Sequence, residues 1–278
     1  MLRINKNVQE KTKLMYLIPH FTGFLVLFII PFVIGLNYSM RTSLANGRFV
    51  GLKNYFKIIN NVAFRIAFKN NVQFMFIAIP LVIGLAFVIA YAIYEVKASE
   101  FIKFAFIIPI AIPSATVIGF FRKLFSVGGW DLLDSDYAMV AVLIIFVWRN
   151  IGYALIILSA GLNSIPKVYL ENAQMDGANI MQRVKNIIIP MLTPSLIFAT
   201  IVTFINSYDV FKDIYLLQGR YPNPSIYMIQ NYMNNKVSSF KMIDLIVTSY
   251  LFTAFIGLLI LGFILIDRLY FKKVRGIE

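Results

Sequence analysis

The sequence has no cysteine, only one histidine and few charged residues. Without cysteine the chain cannot form a disulfide, attach haem through thioether bonds or build a thiolate metal site. The single histidine, His20, lies inside an apolar run, where packing is a commoner role than ligation, and we therefore assign no metal. Charged residues make up 14% of the chain, against about one quarter in a typical soluble domain. These shortages indicate a membrane protein.

Motifs for nucleotide binding and hydrolytic chemistry are also missing. There is no G-x-x-x-x-G-K-[ST] loop to hold phosphates, no H-E-x-x-H helix to hold zinc and no G-x-S-x-G nucleophile turn. The sequence therefore gives no support to an enzyme. The net charge of +13 does not require nucleic acid as a partner, because basic residues commonly flank membrane spans and face anionic lipid.

What the sequence does contain is a series of long apolar runs. A helix of about 20 residues crosses a hydrocarbon core of about 30 Å. The first run begins too far along the chain and is too long for a signal peptide. We predict an all-α, polytopic membrane protein with six transmembrane helices. The six runs are 14–36, 72–94, 104–124, 137–160, 194–216 and 245–266.

The two ends of the chain carry the orientation signal. Four basic residues lie in 1–13 and four in 268–278, whereas the loop totals on the two sides nearly balance. An even number of spans places both ends on one side, and basic flanks favour the cytoplasm. We therefore predict a cytoplasmic segment 1–13, a transmembrane domain 14–268 and a cytoplasmic tail 269–278. In the outer loop 37–71, the pattern from Leu52 to Ile59 predicts either a short amphipathic helix at the membrane interface or a plain connector between spans.

A polar segment, "YLENAQMDGANIMQRVKNIIIP", separates the fourth and fifth runs. Asn163 or Ser164 is predicted to cap a short helix that continues through Ala173. The dipeptide Asp176-Gly177 predicts a turn, because glycine accepts the left-handed backbone that a chain reversal requires. The first half of this cytoplasmic loop is therefore predicted to be a short helix that ends in a turn.

The second half of the loop, which we delimit as 163–193, predicts another helix. Apolar residues recur there at helical spacing and form one stripe. They are Ile180, Val184, Ile187, Ile188 and Met191. Pro190 and Pro194 are expected to mark the junction with the fifth span. The whole segment is predicted to be a helix-turn-helix at the cytoplasmic membrane surface.

This segment resembles a known motif. The run Glu171-x-Ala173-x-x-Asp176-Gly177-Ala178, followed by Pro190, is similar to the Glu-Ala-Ala-x-x-x-Gly coupling loop of permease subunits in bacterial ABC importers. The chain departs from that pattern at Asn172, where the family usually has alanine, and at Val184, where it usually has phenylalanine.

Further segments narrow the resemblance to one group of permeases. The segments "YLIPHFTGFLVLFIIPFVIGLNYSM", "VGLKNY", "WRNIGYALIILSAGLNSIP" and "SYDVFKDIYLL" occur in the family's order between residue 14 and about residue 220. They resemble sugar-uptake permeases of the maltose and glycerol-3-phosphate transporter type, in particular the first of the two permease types in such systems.

The resemblance implies a function and an assembly. The chain would move a sugar or oligosaccharide by alternating access, in the cytoplasmic membrane of a bacterium. Its partners would be a second permease subunit, two copies of a cytoplasmic ATPase, an extracytoplasmic solute-binding protein and membrane lipid. The chain itself would hold no cofactor, because the ATPase binds ATP and Mg and carries out hydrolysis. The implied ATPase-coupling residues are Glu171, Ala173, Asp176, Gly177, Ala178 and Pro190.

Polar side chains within the apolar runs are candidates for the substrate cavity. Polar groups are unfavourable in lipid, so they tend to face a cavity or another helix. The candidates are Trp148, Arg149, Asn150, Asn206, Tyr208 and Asp209, with Lys212 and Asp213 as further polar residues of the fifth run. A sugar suits this mixture of aromatic and hydrogen-bonding groups. The competing interpretation is that such groups pair with one another, as Asp209 and Lys212 would at a spacing of three residues.

Other functions remain open at this point. Arg149 would suit an anion, which favours glycerol-3-phosphate or a related small polar solute as an alternative substrate. An ion-coupled secondary transporter would use the buried Asp and Lys residues as ion sites and would not need the helix-turn-helix. A passive scaffold or receptor would produce no solute flux.

Overall fold

The computed structural model describes residues 16–97, 99, 101–126 and 131–275, with side chains given up to 262 and at 265. The predicted segment 1–13 and the last three residues of the predicted tail lie outside this range. Within it the chain is almost entirely helical and contains no β-strand beyond a single bridge between Arg41 and Phe49. The all-α prediction is confirmed.

Twelve helices follow one another among the described residues, apart from the π-helical turn Val184–Ile188 and the short 3-10 turns Leu132–Asp134 and Pro224–Ile226. They are α1 (Tyr16–Ser39), α2 (Lys53–Ile59), α3 (Val62–Val96), α4 (Phe101–Ala111), α5 (Ser114–Phe125), α6 (Ala138–Asn163), α7 (Lys167–Met175), α8 (Ile180–Arg183), α9 (Ile189–Tyr208), α10 (Val210–Gln218), α11 (Ile229–Ser238) and α12 (Met242–Arg275). Five stretches are long and apolar enough to cross a membrane, and α4 with α5 makes a sixth if the bent pair is one span.

The third apolar run is not the single straight helix expected for 104–124. Helices α4 and α5 meet at 95°, with the break at Ile112 and Pro113. Proline has no N–H to donate and disfavours helical backbone at the residue before it. The chain therefore leaves α4 at Ile112 and restarts as α5 immediately after Pro113.

The expected junction before the fifth span is wrong. One helical stretch runs from Ile180 to Gln218, through both Pro190 and Pro194. A π-helical turn at Val184–Ile188 ends two residues before Pro190, so the missing N–H of this proline falls where the helix is already widened. Wide turns of this kind accommodate local disruption without ending a helix.

Helix bounds also differ from the predicted runs. Helix α3 begins at Val62, ten residues before the predicted start, and the predicted helix near residue 52 is α2. Helix α12 continues to Arg275, so most of the predicted tail 269–278 is helical. Apolar composition locates the part of a helix within lipid, whereas the hydrogen-bonded helix extends further into the polar flanks.

The chain divides into two compact units, of which the first contains residues up to Phe64 and from Met233 onward. In this unit α12 packs against α1 and α2. The carboxylate of Asp244 accepts from Lys57 at 3.0 Å and from Lys236 at 3.1 Å. The Tyr250 hydroxyl donates to the backbone carbonyl of Phe32. One carboxylate therefore joins α2, α11 and α12.

The second unit, residues 65–232, is built around α6. Helices α4 and α9 make the most extensive contacts with α6. Gly152 lies against the backbone carbonyl of Phe106 in α4, and Gly161 lies against the side chain of Ser195 in α9. A side chain at either glycine would collide with the neighbouring helix. Small residues at these two points therefore set how closely the helices approach.

A different cavity lies at each end of the second unit, and its lining residues identify that end. At the α7 end they are Glu95, Lys103, Asn163, Lys167 and Arg183. At the opposite end they are Arg122, Asp134, Gln218 and Asn223. Helix α4 begins near the first set and α5 ends near the second. The bent pair therefore connects the two ends of the unit, which favours a broken span and a total of six crossings over five.

Candidate coupling surface and polar cavity

Helix α7 is anchored by one apolar side chain. Leu170 is buried and packs into the core of the second unit. The predicted cap at Asn163 or Ser164 is wrong, because Asn163 ends α6 and the Ser164 hydroxyl donates to the Gly161 carbonyl at 2.7 Å. Pro166 occupies the N-cap position of α7 in extended backbone. Ser164 is therefore the C-cap of α6 and not the N-cap of α7.

The turn after α7 has the geometry that Gly177 predicts. Gly177 has φ +79°, and its N–H donates to the Gln174 carbonyl at 3.1 Å. The Ala178 N–H reaches back to the Ala173 carbonyl at 2.9 Å. This pair of bonds is a Schellman motif, which satisfies the last carbonyls of a helix. The predicted helix-turn-helix is therefore present.

A capping box that the sequence analysis missed begins α8. The Asn179 side chain accepts from the Gln182 N–H at 2.9 Å, and the Gln182 side chain accepts from the Asn179 N–H at 2.8 Å. These reciprocal bonds satisfy donors that the helix start leaves free. Asparagine followed three residues later by glutamine is the signal that could have located this helix start. The hairpin is thus closed on both sides of its turn.

The outer face of α7 combines apolar and acidic groups. Val168, Glu171 and Met175 share one side of the helix, because they are spaced at three and four residues. All three are exposed, Val168 by 52% and Met175 by 86%. Among the residues that the structure describes, Glu171 has no ion-pair partner. An uncovered apolar pair around a carboxylate is typical of a protein-binding surface.

The remaining predicted coupling residues lie within the hairpin or beyond it. Ala173 and Ala178 are half-buried, Asp176 is exposed at the turn, and Pro190 is half-buried in α9. Glu171 and Asp176 are thus accessible, whereas Ala173, Gly177 and Ala178 shape the turn. Pro190 is remote from the exposed face in sequence.

The predicted apolar stripe of the second helix is only partly buried. Ile188 is buried, but Ile180 and Met191 at the ends of the stripe are exposed, and Leu192 is buried in place of Met191. The π-helical turn at Val184–Ile188 holds one more residue per turn than an α-helix and so rotates the following face. A stripe drawn at regular α-helical spacing therefore fails beyond this turn.

A polar cavity of about 160 Å³ lies in the middle of the second unit. Two helix interruptions border it. Ile110 and Ser114 flank the break between α4 and α5, and Asp209 is the single turn residue between α9 and α10. Interrupted helices are a frequent feature of substrate sites in transporters, because they present backbone polar groups inside the membrane.

The charged groups of this cavity are arranged in pairs. The Arg149 guanidinium donates to the Asp213 carboxylate at 2.6 Å, with 22% and 9% of the side chains exposed. Lys212 contacts Asp209 at 2.9 Å, and both of these side chains are more than 60% exposed. The pairing of Asp209 with Lys212 that was considered from their spacing is therefore present. Two cations and two carboxylates leave the cavity formally neutral.

The structure brings together four of the six predicted cavity residues. Arg149, Asn150, Asn206 and Asp209 line the cavity, whereas Trp148 and Tyr208 are not among its lining residues. Trp148 turns to the neighbouring face of α6 and packs edge-on against Phe121, with ring centroids 5.5 Å apart.

Ser114 and Tyr153 also line the cavity, and no sequence pattern pointed to them. Lys212 and Asp213, the further polar residues of the fifth run, line it as well, and of these two Asp213 is the buried one. Its partner Arg149 lies 64 residues earlier, so no local spacing connects the two.

An all-helical chain with a polar cavity between interrupted helices, and a helical hairpin projecting at one end, has the features of a solute-transport subunit of a membrane. The profile of the family described as "Binding-protein-dependent transport system inner membrane component" matches residues 85–276. The chain belongs to this family and is a multi-pass permease component of an inner membrane.

Individual relatives agree with this assignment. The chain is 31% identical over 238 residues to the trehalose/maltose transport system permease protein of Thermococcus litoralis, covering 77% of this chain and 79% of that protein. It is 25% identical to a probable starch degradation products transport system permease protein of Thermoanaerobacterium thermosulfurigenes, over 95% of this chain and 94% of the relative.

A solved structure shares the fold. It is a chain of a bacterial ABC transporter involved in the import of the acidic polysaccharide alginate. The TM-score is 0.73 at 20% identity, with 98% of this chain and 99% of that chain covered. The family match, and not this likeness of fold, contradicts the secondary-transporter and passive-scaffold alternatives.

Proposed function

We propose that this chain is the permease subunit of an ATP-driven importer for a neutral sugar or oligosaccharide, coupled to a separate ATPase through α7. The observation that carries the coupling role is the exposed face of α7. There Glu171, which has no ion-pair partner among the described residues, lies between Val168 and Met175. The ATPase would bind ATP and Mg and hydrolyse the nucleotide, since this chain has no motif for either.

The hairpin is suited to transmit movement. Leu170 fixes α7 to the core on one side, and the Schellman motif with the capping box fixes its connection to α8 on the other. Helix α8 continues without a break into α9. A displacement of α7 by the bound ATPase would therefore be transmitted to α9 and α10, which border the polar cavity. This displacement would favour either the inward-open or the outward-open state of alternating access.

The substrate class follows from the charges in the cavity. Arg149 is paired with Asp213 and Lys212 with Asp209, so no cation is left over for an anionic solute. This balance favours a neutral saccharide over glycerol-3-phosphate. The names of the two relatives described above, for starch degradation products and for trehalose or maltose, support the same class.

The size of the cavity supports a second permease subunit. Pockets for small molecules commonly have volumes of about 300–1,000 Å³, and about 160 Å³ is enclosed here. One chain therefore supplies part of a pathway that another permease subunit would complete. The full assembly would add two ATPase copies on the cytoplasmic side and an extracytoplasmic binding protein, with both ends of this chain in the cytoplasm.

Affinity purification of the tagged chain from its native cells in mild detergent tests the coupling role. The wild type should recover an ATPase and a second six-span protein, identified by mass spectrometry. Glu171→Lys should lose the ATPase and keep the second permease, because the carboxylate is replaced by a cation at the docking face. Asp136→Lys is the matched control, since Asp136 is also exposed but lies near the start of α6.

Two results would contradict the proposal. Recovery of the chain alone from wild-type cells would contradict the proposed importer assembly. Equal recovery of the ATPase with Glu171→Lys and with Asp136→Lys would contradict the proposed docking face on α7. Uptake of labelled maltose, trehalose and glycerol-3-phosphate in cells lacking the chain tests the substrate class, and we expect loss of a saccharide activity that the wild-type gene restores.

A further inference from the structure

A second cavity, of about 500 Å³, lies at the α7 end of the second unit. Its walls come from the end of α3, the start of α4, the end of α6, and helices α7 and α8. One wall is apolar and includes Ala90, Ile93 and Leu170. The rim is strongly charged. Of the exposed α7 face only Glu171 reaches the rim, whereas Val168 and Met175 do not line the cavity, so the coupling role of α7 does not account for the rest of this space.

The charges of this rim are mainly positive. Four cations, Lys97, Lys103, Lys167 and Arg183, line the cavity with two carboxylates, Glu95 and Glu171. Glu95 is engaged by Arg183 at 3.2 Å. Lys97 and Lys167 form no ion pair with another described residue, so positive charge remains around the cavity.

Two buried polar atoms in the cavity wall have no partner within the described part of the chain. Ser159 is 6% exposed, and its Oγ makes no hydrogen bond. Arg183 is 12% exposed, and its Nε is likewise unpartnered although its Nη2 contacts Glu95. Buried polar groups are normally satisfied by hydrogen bonds, so a hydroxyl and a guanidinium N–H left open in a basic cavity indicate a bound oxygen-rich anion.

We propose that this cavity binds a phosphate group, with Arg183, Lys167 and Lys97 supplying charge and Ser159 a hydroxyl. The apolar wall beside the basic rim matches an anionic phospholipid, whose glycerol and upper acyl chain would contact Ala90 and Ile93. Basic pockets between helices on the cytoplasmic side of membranes bind such headgroups. This placement rests on the proposed cytoplasmic position of α7. Free phosphate is the other source of the same chemistry.

Binding here would affect transport because the site and the coupling hairpin share residues. Lys167 is the first residue of α7, and Arg183 is the last residue of α8. An anion between them would hold the two helices of the hairpin at a fixed separation. Anion binding in this cavity would therefore change how rigidly a displacement of α7 is transmitted to α9.

Native mass spectrometry of the purified chain with its co-purified subunits tests the proposal. The protein is exchanged into detergent with equal amounts of dioleoyl phosphatidylglycerol and dioleoyl phosphatidylcholine, and retained lipid is counted per chain. The test variant is Lys97→Gln with Lys167→Gln. The matched control is Lys123→Gln with Lys185→Gln, which removes the same charge from exposed positions outside the cavity.

We expect the wild type and the control to retain phosphatidylglycerol in preference to phosphatidylcholine. In the test variant the apparent affinity should fall between about fivefold and about twenty-five-fold, since each basic residue near an anionic headgroup contributes about a fivefold factor. A parallel measurement uses inorganic phosphate as the probe. A rise in melting temperature with phosphate in the control but not in the test variant, without lipid preference, would assign the site to free phosphate.

Absence of both lipid preference and phosphate response in the wild type would overturn the proposal, and so would equal losses in the test and control variants. Lipid retention does not require the ATPase. Selective retention together with failure of the Glu171→Lys purification test would therefore contradict the coupling role alone. If the Glu171→Lys purification test succeeds but the wild type shows neither lipid preference nor a phosphate-dependent rise in melting temperature, the phosphate site alone is contradicted.

Discussion

At the scale of single residues, the turn at Gly177 is set by backbone conformation and not by lack of space. Its φ of +79° lies in the left-handed region, and a Cβ added there would meet no atom within 4 Å. Side chains disfavour this conformation by about 1–2 kcal/mol, although asparagine tolerates it better than alanine.

The variants Gly177→Ala and Gly177→Asn separate these effects. We expect Gly177→Ala to weaken recovery of the ATPase and to lower solute uptake several-fold, because the hairpin shifts away from the geometry that presents Glu171. Gly177→Asn should retain most of both activities. Affinity purification and uptake of labelled sugar measure the two outcomes. Equal losses in both variants would mean that the glycine is required for contact with the partner instead of for the turn.

The ion pair between Arg149 and Asp213 is the second residue-scale feature. Removing one partner of a fully buried pair costs about 3–5 kcal/mol. Arg149 is 22% exposed, so water compensates part of the loss and we expect about 2 kcal/mol. Arg149→Gln or Asp213→Asn should each lower the melting temperature of the purified complex in detergent.

The double variant distinguishes a structural pair from a substrate contact. Arg149→Met with Asp213→Leu leaves no unpaired charge, so its stability should recover most of the loss seen in either single variant. Uptake should stay impaired if the pair also contacts sugar. Melting curves and uptake assays on the wild type, the matching single variants Arg149→Met and Asp213→Leu, and the double variant complete the cycle. Additive losses of stability would refute the pairing.

At the scale of helices, close approach between α4 and α6 depends on Gly152. A Cβ at this position would collide with the Phe106 carbonyl and lie 3.1 Å from Ile110 Cδ1. Backbone cannot move aside as a flexible side chain can. The two helices also border the polar cavity, since Ile110 and Arg149 both line it. A shift of α4 would therefore change the shape of the cavity.

We expect Gly152→Ala to destabilise the protein by about 1–3 kcal/mol, the usual range for overpacking. Gly119→Ala in α5 is the matched control, because a Cβ there meets no atom within 4 Å and alanine favours a helix by up to about 1 kcal/mol. Thermal unfolding in detergent measures both. A destabilisation by Gly119→Ala as large as that by Gly152→Ala would contradict the steric explanation.

At the scale of the whole molecule, the bent pair α4 and α5 decides the topology. If the pair crosses, the loops before and after it lie as in a six-span protein, and both ends of the chain share one side. If it enters and leaves on the same side, five spans place the ends on opposite sides. The length and apolar composition of α4 and α5, together with their 95° bend, are compatible with either arrangement.

The absence of cysteine makes this topology directly measurable. Single substitutions Leu44→Cys, Asp136→Cys and Met175→Cys introduce thiols at exposed positions in three loops. A membrane-impermeant maleimide should label Leu44→Cys and Asp136→Cys in intact spheroplasts, and Met175→Cys only after permeabilisation. Labelling of Asp136→Cys and Leu44→Cys from opposite sides would show that the bent pair does not cross.

The sequence by itself determined the features that local chemistry controls. The length of each apolar run located the spans, because the hydrocarbon thickness sets the number of residues that a helix needs. Gly177 located the turn of the hairpin, because left-handed backbone is a property of one residue. The ordered motifs around Glu171 indicated the family. The spans and the turn are each set within one short stretch of chain, and the family is indicated by several short stretches in their order between residue 14 and about residue 220.

Only the tertiary structure decided which distant groups meet. Arg149 and Asp213 pair across 64 residues, and the helix breaks at Pro113 and Asp209 reach the same cavity through the packing of α4, α6, α9 and α10. The separation of Trp148 from Arg149 depends on which side of α6 faces inward. The π-helical turn in 184–188 likewise rotates the face of the following helix. These contacts depend on helix rotation and packing, which short-range sequence patterns do not specify.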